Sequence, residues 1–340
     1  GHLLRESAKS GAFRIRHPEA PSRDCGLVVL GMGKLGAQEL NYSSDIDLIV
    51  LYDDEKIETA RPDTLQMAFV RLVRGLVRIL EERTADGYVF RTDLRLRPDP
   101  ASTPLALSVR AAETYYESMG QNWERAAMIK ARAVAGDMVA GAAFLASLRP
   151  YVWRRSLDFA AIRDIQSIKR QINTHRGGDA LGVAGHNIKL GRGGIREIEF
   201  FAQTQQLIWG GREPSVRQRA TLPAIEALVR MGQVSSTTSA ELADAYRYLR
   251  RVEHRLQMID DQQTQTLPKE EVGLTALARF LGYETSDSFG AELRLWLGRV
   301  ETHYRQLYAD EPSLGGPGNL VFTGSDDDPD TMATLAKLGF

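Results

Sequence analysis

The chain has 340 residues, 43% of them hydrophobic and 26% charged, which is ordinary for a globular protein long enough to form two or three domains. No stretch approaches the roughly 18 uninterrupted apolar residues of a membrane-spanning helix, so a soluble protein without membrane partners is expected. The formal net charge of -1 provides no overall field for nucleic acid and argues against that class of partner.

The single cysteine, Cys25, excludes an internal disulfide and a cysteine-built zinc site. Because no secretory signal is recognisable, a cytoplasmic location is expected. The chain begins without methionine and ends at Phe340 directly after a helix-like run, which predicts that it is part of a longer polypeptide.

The first half of the chain mixes strand and helix patterns. Residues 1–24 are expected to be a helical remnant or linker, and residues 25–145 a domain of strands and helices. The predicted elements are strands at 26–30, 45–52 and 88–97 and helices at 34–40, 62–80, 109–119 and 122–133.

In the second half, apolar residues recur at helical spacing, which predicts a helical bundle over 146–310. The apolar stripes are found at Ile162 to Ile172, 222–231, 242–256 and 289–307. A glycine-rich stretch at 177–194 interrupts the helices and contains Lys189 and Arg192, with Arg196 just beyond it. Residues 311–340 are rich in Pro, Gly and Asp at their start, and are expected to be a linker and the beginning of another segment.

A glycine-rich turn, GMGKLG at 31–36, follows the first strand and opens a helix, so its backbone amides are candidates to bind a phosphate. By itself this is a weak signal, since a glycine pair is more often a simple turn. It lacks the Gly-Lys-Ser/Thr ending of a P-loop and the following βαβ units of a dinucleotide-binding fold.

The strand at 45–52 begins with two carboxylates, Asp45 and Asp47, which the period of two places on one face. Like charges this close favour a bound cation, and oxygen ligands suit Mg²⁺ or Mn²⁺. The same alternation over 88–97 predicts Asp93, Arg95 and Arg97 on one face of the third strand. If the two strands are neighbours, carboxylates and guanidiniums meet as phosphoryl transfer requires. A single Asp at the start of a strand is usually only a turn residue. A glycine-rich turn followed by two Asp on one strand and a third Asp beside arginines on a later strand is much less expected by chance.

Residues 31–48 (GMGKLGAQELNYSSDIDL) closely resemble the core motif of the glutamine synthetase adenylyltransferase/adenylyl-removing family. Further blocks occur in the expected order: DLRLRP at 93–98, NWER at 122–125, KAR at 130–132, KLGRGGIREIEF at 189–200 and YLRRVEHRLQ at 248–257. The resemblance implies an α+β fold, a small mixed sheet of nucleotidyltransferase type with flanking helices in 25–145, followed by the bundle. One departure is Ala37, where many members have another glycine.

The resemblance also implies the site. Asp45, Asp47 and Asp93 become the metal ligands and catalytic residues. The candidate nucleotide and phosphate contacts are Gly31, Gly33, Lys34, Gly36, Ser44, Arg95, Arg97, Lys130 and Arg132. No histidine is expected at the catalytic site. In the reaction that the resemblance implies, the leaving group is a tyrosine phenol with a pKa of roughly 10, which needs little protonation.

The implied reaction removes AMP from an adenylylated tyrosine of glutamine synthetase by phosphorolysis, with inorganic phosphate as substrate and ADP as product. The assignment to the N-terminal, adenylyl-removing unit uses Met32 in the turn and GNLVFTG at 318–324. Implied partners are glutamine synthetase, a PII-type nitrogen signal protein and a second nucleotidyltransferase unit of the same polypeptide. The alternatives are the sister adenylylating activity from ATP, a uridylyltransferase acting on a signalling protein, and a non-catalytic regulatory module of the same fold.

Two other features remain open. Glu197 and Glu199 would face different directions on a helix, and the favoured interpretation is that one of them pairs with Arg192 or Arg196 and fixes the bundle to the sheet domain. As a strand, the segment could present both glutamates to one ion. Trp123 and Trp153 are interpreted as packing residues.

Overall fold

The computed structural model describes residues 1–155 and 182–309. The predicted apolar repeat from Ile162 to Ile172, the first residues of the glycine-rich stretch and the segment at 311–340 therefore lie outside the described residues.

The strands of the first half form one mixed sheet. They are β1 (Leu27–Gly31), β2 (Asp45–Tyr52), β3 (Arg91–Asp93), β4 (Leu107–Ser108) and β5 (Arg132–Gly136). β1 lies between β2 and β5 and is antiparallel to both. β3 and β4 are parallel to β2, β3 at its start and β4 at its end. The predicted small mixed sheet with flanking helices is confirmed.

The described helices surround this sheet and continue beyond it. In chain order they are α1 (His2–Lys9), α2 (Gly33–Ala37), α3 (Pro62–Glu81), α4 (Val109–Ser118), α5 (Asn122–Met128), α6 (Met138–Ser147), α7 (Arg149–Val152), α8 (Ile195–Trp209), α9 (Thr221–Arg230), α10 (Ser236–Met258), α11 (Glu271–Leu281) and α12 (Ser286–Ala309). Ser108, Asp137 and Ser235 cap α4, α6 and α10 by accepting a hydrogen bond from a first-turn amide. None of the described helices is long and apolar enough to cross a membrane.

Alternation along β1 and β2 divides the sheet side chains between two cores. Val29 and Val50 belong to the core that α3 covers with Phe69. Leu30 and Ile49 belong to the opposite core, which α4, α5 and α6 cover. Asp47 shares the parity of Ile49, so it leaves β2 on that second face.

The second face is also where the two halves of the chain meet. Phe200 and Leu207 of α8 and Tyr304 of α12 are buried in the same core as β1 and β2. The remaining helices of the second half have their own apolar core, around residues such as Leu249 and Leu297. Since one core spans both halves, a separate bundle domain beginning at residue 146 stays a prediction.

Two predicted elements are wrong in extent. The strand expected at 88–97 is reduced to β3, which pairs only with the first three residues of β2. The helix expected at 122–133 ends at Met128, and the chain returns as β5 to pair with β1. Residues 126–135 contain several alanines, which favour helix locally, and the ladder to β1 overrides that preference. α6 and α11 were not predicted.

Candidate active site

A cleft of about 830 Å³ lies where the start of β2 faces the helices of the second half. This volume is typical of small-molecule sites. Of the residues predicted from the sequence, those that line the cleft are Gly33, Lys34, Ser44, Asp45, Asp47, Asp93, Arg95 and Lys130. Gly31, Gly36, Arg97 and Arg132 are outside the lining.

The carboxylates come together through strand geometry. Asp45 and Asp47 lie two residues apart on β2, and the parallel pairing places Asp93 directly beside Asp47. Burial, followed by the charges of Asp45 and Asp93, raises the pKa of Asp47 to about 6. A bound cation would stabilise the ionised form of such a carboxyl group, because it offsets the repulsion between the neighbouring negative charges.

The donor set fits Mg²⁺ or Mn²⁺, because its ligands are carboxylate oxygens on one face. Within residues 1–155 and 182–309, however, no group of three His, Cys, Asp or Glu side chains is already arranged to hold an ion. Asp93 is instead engaged by Arg95, whose Nη2 donates to Oδ2 at 2.5 Å and whose Nε donates to it at 2.9 Å. These hydrogen bonds lower the pKa of Asp93. The metal site stays a prediction, and the Arg95 side chain would share the oxygens of Asp93 or compete for them with a bound metal.

The glycine-rich turn brings the backbone against Asp47. The Met32 amide donates to the Asp47 carbonyl at 2.9 Å. Gly33 has a φ of +48°, and a Cβ at this position would lie 2.8 Å from Asp47 Oδ2. Glycine at 33 therefore keeps open the space beside the carboxylate.

Gly33→Ala is expected to lower turnover by at least about tenfold, because the new methyl group displaces the Asp47 carboxylate and about 1.4 kcal/mol of lost positioning is enough for that effect. The matched control is Gly232→Ala, which also has positive φ, at +71°, but has nothing within 4 Å of the new Cβ. Equal activity losses in the two variants would show that backbone strain, not crowding of Asp47, is responsible.

Gly36 and Arg132 shape the turn from outside the cleft. A Cβ on Gly36 would lie 2.0 Å from the Lys130 carbonyl oxygen, so glycine is required for α2 to approach the chain before β5. Arg132 donates to the carbonyls of Leu35 and Gly36. A Cβ on Gly31 would similarly meet side chains at 2.8 Å. The prediction that Arg132 contacts the nucleotide or phosphate thus has no support in its position.

The expected alternation of Asp93, Arg95 and Arg97 on one strand face is wrong, since β3 ends at Asp93. The Arg95 side chain is 83% exposed and reaches back to Asp93. Arg97 donates to the backbone carbonyl of Leu94 before it and to carbonyls of the loop that follows, at Pro100, Thr103 and Pro104. Arg97 therefore stabilises that loop through hydrogen bonds to its backbone.

Lys130 is only 5% exposed and forms a buried ion pair across the two halves. Its Nζ donates to Glu199 Oε1 at 2.8 Å and to Glu39 Oε2 at 3.2 Å. Although burial acts to raise it, Lys130 and then Arg196 hold the pKa of Glu199 down to about 2. The segment that contains Glu197 and Glu199 is helical, as the favoured interpretation assumed. Glu199 does join the two halves of the chain, but its partner is Lys130 and not Arg192 or Arg196.

Lys34 is paired in a similar way. Its Nζ donates at 2.7 Å to Glu253, a fully buried residue of α10. Burial lowers the pKa of Lys34 to about 8 even though Glu253 opposes the shift. Glu197 accepts a hydrogen bond from the Gly193 amide at 3.1 Å, and Arg192 pairs with Glu301 of α12.

Residues that were not predicted to belong to the site complete the cleft. Lys189 and Arg196 line the cleft from the second half of the chain, and their charges act to lower the pKa of Asp47. The resemblance block at 189–200 contains both and could have indicated them. Gln263 and Gln265 also line the cleft, from a loop after α10 that carries no motif.

The two tryptophans differ in position. Trp123 is 37% exposed and lines the cleft, so its interpretation as a packing residue stays a prediction. Trp153 packs against the second core, with the Arg217 guanidinium 5.7 Å from its ring centroid.

Two family models match the chain in succession. Residues 3–147 match the model described as glutamate-ammonia ligase adenylyltransferase, and residues 163–308 match the model described as GlnD PII-uridylyltransferase. Among curated proteins, a relative from Rhizobium meliloti (strain 1021) is 58% identical over 340 residues, and one from Agrobacterium fabrum (strain C58) is 56% identical over 340 residues. Both are named bifunctional glutamine synthetase adenylyltransferase/adenylyl-removing enzyme. Each match covers 100% of this chain and 34% of the relative, so the chain spans about a third of their length.

Likeness of this degree over the whole of this chain shows the family to which it belongs, one whose members are named as adenylyltransferases. The chain belongs to the family of bifunctional glutamine synthetase adenylyltransferase/adenylyl-removing enzymes. The resemblance identified in the sequence is confirmed, and the matched third of the relatives is their N-terminal one.

Proposed function

We propose that the cleft removes AMP from an adenylylated tyrosine of glutamine synthetase by phosphorolysis, in the cytoplasm, with Mg²⁺ or Mn²⁺ held by Asp45, Asp47 and Asp93. The observation that carries the proposal is a cleft lined by three carboxylates of the neighbouring strands β2 and β3 together with the cations Lys189 and Arg196. Such a cleft suits a reaction in which two anionic phosphates must approach each other.

In this reaction an oxygen of hydrogenphosphate forms a bond to the phosphorus of AMP, and the bond from that phosphorus to the tyrosine oxygen breaks. The proton of hydrogenphosphate ends on the phenol oxygen, so the products are ADP and free tyrosine. When bound, the metal ions would neutralise phosphate charge. Ser44, which lines the cleft, would donate a hydrogen bond to the AMP phosphate, and Gly33 would keep the space beside Asp47 open.

The substrate and partner assignments come from the relatives' printed names and from the sequence resemblance. Glutamine synthetase is proposed as the protein substrate, because the names of the relatives specify it. A second nucleotidyltransferase unit on the same polypeptide is consistent with relatives about three times as long as this chain. A PII-type signal protein is proposed as the regulatory partner. The adenylyl-removing activity is assigned to this unit from Met32 and the residues at 318–324.

Product identity tests the proposal. With adenylylated glutamine synthetase, Mg²⁺ and inorganic phosphate, the chain is expected to release ADP, and Asp47→Asn is expected to release none. Transfer of label from ATP to unmodified glutamine synthetase, without ADP from the adenylylated form, would assign the sister activity. Absence of both products would favour a regulatory module.

A further inference from the structure

Two cations lie on the wall that the second half contributes to the cleft. Lys189 lies just before α8 and Arg196 is its second residue, and both line the cleft. The Arg196 amide donates to the Lys189 carbonyl at 3.0 Å, and the Ile195 amide donates to the Ile188 carbonyl at 2.9 Å. These backbone hydrogen bonds hold the two residues side by side.

The other cations of the cleft are already paired. Lys130 pairs with Glu199, Lys34 with Glu253, and Arg95 with Asp93, at distances between 2.5 and 2.8 Å. In the part of the chain that the structure describes, neither the Lys189 ammonium nor the Arg196 guanidinium has a hydrogen-bond or ion-pair partner. The charge of Lys189 acts on the pKa of Lys34 and of Asp47, so it lies within electrostatic reach of both. Among the described residues, cations that no hydrogen bond or ion pair engages are therefore concentrated on this wall.

We infer that Lys189 and Arg196 bind the inorganic phosphate that attacks the AMP phosphorus. This inference rests on the proposed function. A guanidinium binds two phosphate oxygens at once and an ammonium contributes a point charge, so together they can hold and orient hydrogenphosphate. A second anion can bind at these two cations while the first is held by the metal ions that Asp45 and Asp47 would bind. The half with the sheet thus holds the AMP group, and the helical half binds the inorganic phosphate that attacks it.

Steady-state kinetics separate this role from a structural one. Lys189→Met and Arg196→Gln are each expected to raise the KM for phosphate by at least about tenfold, since a hydrogen bond to a charged group contributes about 1.5–3 kcal/mol. The KM for adenylylated glutamine synthetase should stay within about twofold, because this wall does not hold the AMP group. The controls are Lys269→Met and Arg230→Gln, which remove the same charges from exposed positions of the second half outside the cleft lining.

A binding measurement makes the test independent of turnover. Inorganic phosphate alone is titrated into the wild-type chain, the two variants and the two controls, and bound phosphate is followed by ³¹P nuclear magnetic resonance. We expect binding to the wild type and controls, and loss of binding in Lys189→Met and Arg196→Gln.

The outcomes distinguish the two proposals. ADP formation with an unchanged phosphate KM in both variants overturns the phosphate site and leaves the proposed function standing. Phosphate binding that the variants lose, without ADP formation by the wild type, overturns the proposed function and leaves the phosphate site standing. Neither ADP formation nor phosphate binding by the wild type overturns both.

Discussion

Asp47→Asn is expected to lower ADP release by on the order of 1,000-fold or more, because the loss of a metal-held charge at a phosphoryl centre removes several kcal/mol of transition-state stabilisation. Asp45→Asn should behave in the same way. Both carboxylates leave the same face of β2 into the cleft, and asparagine keeps the size of the side chain but not its charge.

The same substitution should leave the fold intact. Burial and the charges of Asp45 and Asp93 disfavour ionised Asp47, so removing that charge in the metal-free protein relieves repulsion. The thermal midpoint of Asp47→Asn without metal should therefore equal or exceed that of the wild type. The control is Asp54→Asn, an exposed position just beyond β2. Near-normal turnover in Asp47→Asn would contradict the metal assignment.

Lys130→Met is expected to destabilise the protein by about 3–5 kcal/mol, because it leaves the carboxylate of Glu199 buried without its partner. Lys130 and Glu199 are 5% and 7% exposed, and their ion pair joins the chain before β5 to α8. The double variant Lys130→Met with Glu199→Met should recover most of the loss, since apolar side chains of similar volume can replace a buried pair. Urea unfolding of the two single variants and the double variant measures the coupling.

The double variant also decides the role that the sequence suggested for Lys130. If Lys130 only joins the two halves, the folded double variant should keep a phosphate KM close to that of the wild type. A tenfold rise in the phosphate KM, with stability restored, would instead place Lys130 among the phosphate ligands. The exposed pair Arg110–Glu55 is a suitable control, because surface ion pairs contribute only about 0–1 kcal/mol.

Local patterns predicted much of the sheet half. The aliphatic residues of β2, the apolar stripe of α3 and the turn before α2 all depend on contacts close in sequence, so their periods are visible without the fold. The carboxylates at Asp45 and Asp47 followed for the same reason, because two residues apart on a strand means one face.

The errors of prediction fall where a distant partner determines the local structure. β5 is alanine-rich and looks helical until β1 offers a ladder of hydrogen bonds. β3 ends at Asp93 although the sequence continues to alternate, and this turns Arg97 away from the cleft to brace a loop.

The sequence by itself determined the family, the mixed sheet and the position of the carboxylates, because these are encoded in short motifs and regular periods. Only the tertiary structure decided which cations are available to a substrate. Lys34, Lys130 and Arg95 look equivalent to Lys189 and Arg196 in the printed sequence. Each of the first three pairs with a carboxylate that is close in space, although two of these carboxylates are more than 60 residues away in the sequence. No described carboxylate pairs with Lys189 or Arg196. Pairing of charges in a cleft depends on distances in space, which the order of residues does not specify.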